Sequence, residues 1–115
     1  MHAPVEHPFG ESTTVAKIPE FYQQGKKKYP DVFDAYESMS EAAKAAGPLD
    51  AKTVALAKLA MSIGAGLEGA THSAVRKGRD AGCSDEEMRH VALLGVTTLG
   101  FPTMMRARAW VEDVL

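Results

Sequence analysis

The sequence has one cysteine, Cys83, among 115 residues. A single thiol excludes an intrachain disulfide and any two-thiol redox cycle within one chain, and it fits a reducing compartment. Long hydrophobic runs are missing too: no apolar stretch approaches the roughly 20 residues that a membrane-spanning helix needs. Charge of one sign is not in excess, since 13 Lys and Arg stand against 15 Asp and Glu. That balance gives no reason to expect nucleic acid or an anionic membrane as a partner. The basic run Lys26-Lys27-Lys28 is short and reads as a solvated helix end. The segment Met1–Gly10 has neither the basic nor the apolar region of a secretion signal, so a soluble cytoplasmic protein is expected. Period-two alternation is nowhere sustained, which removes strands and leaves an all-α reading.

What is present is an ordinary globular composition, 45% apolar and 24% charged, in a chain of one-domain length. At that size about two thirds of the unfolded surface is buried on folding, enough for a modest core. Residues 1–16 carry prolines, a glycine and a Ser-Thr-Thr run without apolar periodicity, and read as a flexible N-terminal arm. His2 and His7 have no ligand partner at helical spacing, so no metal site is expected there. The remainder, 17–115, reads as one helical domain. Pro19 suits a first helical turn, with Phe21 and Tyr22 as anchors.

Tyr29-Pro30-Asp31 opens a helix to Ala46 through Val32, Phe33, Tyr36, Met39, Ala42 and Ala43, and Gly47-Pro48 stops it. Asp50 is placed to cap the next helix, whose Val54, Leu56, Ala57, Leu59, Ala60 and Ile63 are apolar on much of the circumference. That pattern predicts a central, buried helix. Gly64 and Gly66 each cost about 1 kcal/mol of helix propensity relative to Ala, so a kink or a break into two helices is predicted just before Glu68. Helix resumes through Thr71, Ala74 and Val75 to Asp80, and Ala81-Gly82-Cys83 ends it as a glycine cap does. Ser84-x-x-Glu87 is a capping box, the strongest local signal in the chain. It starts a helix to about Leu99. Gly100-Phe101-Pro102 breaks that helix, and a last one carries Met104, Met105, Trp110, Val111 and Val114. Five or six helices are expected, with more apolar surface than a small monomer hides, so homo-oligomerisation is expected as well.

The polar residues that stand out are Glu68 and His72, four apart among Gly, Ala, Ser and Thr. That spacing puts carboxylate and imidazole on one helical face, with Arg76 one turn further along. Two readings are open from the residues alone: an exposed ladder worth a few tenths of a kcal/mol per pair, or an acid/base pair lining a pocket. His90, on a helix that begins with three acids, reads as a surface histidine. Phe101, Met104, Met105 and Trp110 read as core or interface. No tryptophan- or arginine-rich approach to His72 is apparent.

Leu49-Asp50-x-Lys52, Glu68-x-x-x-His72, Ala81-Gly82-x-Ser84-x-Glu-Glu87 and Gly100-Phe101-Pro102 come in an order and spacing that resembles the carboxymuconolactone decarboxylase family, with its alkylhydroperoxidase D-like relatives, over roughly Pro30 to Val114. The resemblance implies an all-α domain of that type, assembled as homotrimers or homohexamers with pockets near subunit contacts. The alkylhydroperoxidase branch carries Cys-x-x-Cys-x-x-x-His. Its histidine matches His72, its two cysteines fall on Ala65 and Glu68, and its relay acid falls on Thr53. Thiol peroxidase chemistry needs a thiolate and a resolving thiol, so it is the least expected activity. Cys83 does not supply it, since the acidic run Asp85-Glu86-Glu87 beside it disfavours a thiolate.

The decarboxylase branch lacks the cysteine pair and carries the glutamate four residues before the histidine. The resemblance therefore implies a cofactor-free acid/base lyase for a small carboxylated lactone or related acid. In it His72 donates or positions the proton, Glu68 orients the imidazole, and Arg76 binds the substrate carboxylate. The alternative is a non-catalytic member that binds a small molecule or a partner protein.

Overall fold

The computed structural model describes residues 11–115, and their side chains from Pro19 onward. It contains six α-helices, α1 (Glu11–Lys28), α2 (Pro30–Ala45), α3 (Ala51–Gly64), α4 (Glu68–Asp80), α5 (Asp85–Thr98) and α6 (Phe101–Glu112), and no strand among the described residues. The all-α class expected from the periodicity is the class observed. Where one domain over 17–115 was expected, the chain divides into two compact units at the Gly47-Pro48 break, one ending at Pro48 and one spanning Leu49–Leu115.

In the first unit, α1 begins at Glu11, upstream of the start expected at Pro19, and that proline lies inside the helix. Residues 11–16, read as arm, are thus helical, because Val15, Ile18 and Tyr22 continue the three- and four-residue spacing across the polar Ser-Thr-Thr run. The rest of the expected arm, with His2 and His7, lies outside the described residues. Tyr29 joins α1 to α2, and Pro30 starts the second helix, where its missing N–H costs nothing. The two helices meet edge to face through Tyr22 and Phe33, with ring centroids 5.2 Å apart. Gly25 makes room for this, since a Cβ there would collide with the Phe33 ring. The Tyr22 hydroxyl and the Lys26 ammonium both donate to the Glu37 carboxylate. No residue of α2 is buried, and Val32, Tyr36 and Met39 are exposed.

The second unit has a core. Asp50 caps α3 as expected, its carboxylate accepting from the Thr53 backbone N–H at 2.8 Å. Both halves of the Ser84/Glu87 capping box form at the start of α5. Leu59 and Ile63 from α3, Val75 from α4, Met88 and Ala92 from α5, and Ala107 and Val111 from α6 pack together in the interior. Gly78 admits Met88 to that interior: a Cβ at residue 78 would stand only 2.7 Å from the Met88 sulfur. Cys83 is buried against the same cluster. Burial first, and the charge of Glu87 second, push its thiol up from the ordinary value.

One expectation is corrected here. α3 is not buried all round: only Leu59 and Ile63 are interior, while Ala60 and Met61 face outward. Chiefly α4 and α5 pack on α3, so its apolar circumference exceeds the surface they hide.

Candidate active site

The break expected at Gly64–Gly66 forms the entrance to α4. Gly66 adopts φ +71°, a left-handed conformation suited to a residue without a Cβ, and its N–H bonds the Ile63 carbonyl at 3.0 Å while Leu67 N–H bonds that of Ser62. Glu68 is then the first residue of α4, and His72 follows one turn later. Thr71, fully buried, closes its hydroxyl onto the Leu67 carbonyl at 2.8 Å and fixes this first turn.

His72 and Glu68 share a face of α4 but not an environment. His72 is 3% exposed, whereas Glu68 is exposed to solvent. The partner of the imidazole is not Glu68 but Asp113, just past the end of α6, whose Oδ2 accepts from His72 Nε2 at 2.9 Å. Glu68 stays close: one carboxylate oxygen from it, one from Asp113 and a ring nitrogen of His72 all lie within 4.8 Å of one another. The Asp113 side chain is 41% exposed, so the cluster has a buried imidazole at its base and two carboxylates at its mouth.

α6 brings an arginine and a tryptophan to the α3–α4 turn. Arg106, Trp110 and Asp113 lie at i, i+4 and i+7 and share one face of that helix. The Arg106 guanidinium lies over the Trp110 ring, 4.8 Å from its centroid, a cation–π contact that orients the group. Its Nη2 would lie 3.4 Å from a Cβ placed on Gly66, so it sits over the α3–α4 turn from which Glu68 departs. Only the i, i+4, i+7 series was visible in the sequence, and nothing in that series says which helix it faces. Arg76, given the substrate-binding role by resemblance, is half-buried one turn beyond His72. Thr53, at the relay-acid position, is exposed and serves in the Asp50 cap.

Asp113 is itself held in place. Arg79, on the same helix as His72, donates to the backbone carbonyls of Val114 and Leu115 at 3.2 and 3.3 Å. A cleft of about 540 Å³ lies elsewhere in the unit, between α5 and α6, lined by Glu86, Arg89, His90, Leu93 and Arg108 among others. His90 is exposed there, the surface histidine expected.

A sequence profile of the carboxymuconolactone decarboxylase family matches residues 30–113, and the chain belongs to that family. No curated protein sequence matches it. Its fold is similar to the crystal structure of an apo carboxymuconolactone decarboxylase family protein from Legionella pneumophila, with a TM-score of 0.75 at 21% identity, covering 91% of this chain and 95% of that one. At that identity the likeness concerns the fold alone.

Proposed function

We propose that the protein is an acid/base carboxy-lyase acting on a small carboxylated lactone or related acid. The observation that carries this is the contact of buried His72 with the partly exposed Asp113, on the face of α6 that also presents Arg106. Loss of carbon dioxide from such a substrate leaves its electron pair delocalised into the lactone carbonyl, so the enzyme has to supply a proton to carbon and a counter-charge. His72 is too deeply buried to touch a substrate. It acts as a positioning residue: as an imidazolium it passes its Nε2 proton to Asp113 Oδ2 and is left as the neutral imidazole. The partly exposed Asp113 then delivers that proton to the enolate carbon.

Arg106 binds the substrate carboxylate, its guanidinium plane fixed by Trp110 and ready for a two-point contact. It also offsets the repulsion between an anionic substrate and the carboxylates of Glu68 and Asp113. The buried, undissociated Cys83 supports a route without thiol chemistry.

The test is turnover of carboxylated γ-lactones, followed by carbon dioxide release. Asp113→Asn and His72→Gln should each lower kcat by about 100-fold or more, the usual range for a general acid. Arg106→Met should chiefly raise KM. Wild-type turnover that survives both Asp113→Asn and His72→Gln sinks the assignment, as does a wild-type protein that neither turns over nor is thermally stabilised by such lactones.

A further inference from the structure

We propose that Glu68, His72 and Asp113 also form a binding site for a divalent transition-metal ion, each giving one ligand. Two of the three ligand atoms, His72 Nε2 and Asp113 Oδ2, are 2.9 Å apart, and all three fall within 4.8 Å of one another. Three donors at metal–ligand distances of about 2.0–2.2 Å stand roughly 3.0–3.6 Å from each other. The observed triangle therefore has one edge already near that length, and the others close with a rotation of exposed carboxylates. Glu68 is free to make that movement, as it has no hydrogen bond or ion pair to any described residue and is solvent-exposed.

Charge points the same way. Two carboxylates meet beside one imidazole, and Asp113 lies at the C-terminal end of α6, where the helix dipole already presents negative potential. A 2+ ion offsets both. The imidazole sets the class of ion: one nitrogen with two carboxylate oxygens suits zinc, cobalt, iron or manganese better than calcium or magnesium, which prefer oxygen alone. Burial of His72 fixes the ring, while exposure of the two acids leaves the remaining coordination positions to water. Spacing in the sequence concealed the set, since Asp113 stands 41 residues from His72.

The site is independent of the lyase reading. An ion on Nε2 takes the lone pair that would carry the proton, so it competes with that chemistry and is detected by binding whether or not a substrate is found.

The experiment is calorimetric titration of the full chain with zinc chloride in chelator-free buffer. His2, His7 and His90 are changed to alanine so that His72 is the remaining histidine of the four. One ion per chain is expected, with a Kd tighter than about 100 µM, or some 5.5 kcal/mol. Glu68→Gln and Asp113→Asn, both at exposed positions, should each weaken it about 10-fold or more while the helical circular dichroism stays unchanged. Cobalt in place of zinc should give visible d–d bands that the two variants lose. A Kd weaker than 100 µM, or binding that either variant leaves intact, overturns the proposal.

Discussion

The two units of the chain are built from helices of similar length and differ in what their apolar residues accomplish. In α3–α6, side chains from all four helices, among them Leu59, Met88, Val75 and Val111, are essentially removed from water. In α1–α2, the apolar residues Phe21, Val32, Tyr36 and Met39 are exposed, and the pair is joined by one aromatic contact and a three-residue polar bracket at Glu37. Two helices cannot enclose a volume, whereas four can. The difference decides where a precise site can stand: the buried histidine belongs to the unit whose core fixes its helix.

The comparison predicts a graded set of losses. Largest is Leu59→Ala, which removes a fully buried side chain and should cost about 2–5 kcal/mol. Amides of α3–α6 should lose hydrogen-exchange protection together. Phe33→Ala should cost about 1–2 kcal/mol, since its ring is only half-buried and its chief contacts are Tyr22 and Gly25. Exchange should accelerate in α1 and α2 alone. Equal, global losses from both variants would break the comparison.

The smallest effect is a titration. Hydrogen bonding to the Glu37 carboxylate pushes the Tyr22 hydroxyl up to about 12. A raised folded value means the contribution is complete below the ordinary tyrosine value near 10 and is lost as pH rises toward 12. Glu37 shifts the other way, down, held by hydrogen bonds from Lys26 and Tyr22, so its contribution is present above the ordinary carboxylate range and fades as pH falls through its lowered folded value. In an ultraviolet titration the phenol ionising near 12 should vanish in Tyr22→Phe, and α1–α2 should lose exchange protection in that alkaline window before α3–α6 does. Simultaneous loss in both units would contradict the localisation.

Local chemistry was the most legible part of the sequence. Asp50, Ser84, Glu87, Gly82 and Gly100 act through hydrogen bonds and dihedrals within a few residues, so their places follow from spacing alone. Glu68 and His72 were found on the same principle. The positions of Asp113, Arg106 and Trp110 near the start of α4 were not legible, because they depend on which face of α6 meets that helix. The extent of α3 burial was misjudged for a related reason. An apolar circumference records what a helix could cover, not how many neighbours cover it.

The Arg79 contact with the carbonyls of Val114 and Leu115 has a mechanical consequence. One helix, α4, carries the imidazole and also tethers the segment that bears its carboxylate partner. The chain around Asp113 is thus held from both sides, by Arg79 of α4 just after it and by the two-point contact of Arg89 of α5 with Glu112 just before it. A substitution at Arg79, exposed and outside the cluster, would release one of the two ties on the segment that bears Asp113 and loosen its contact with His72.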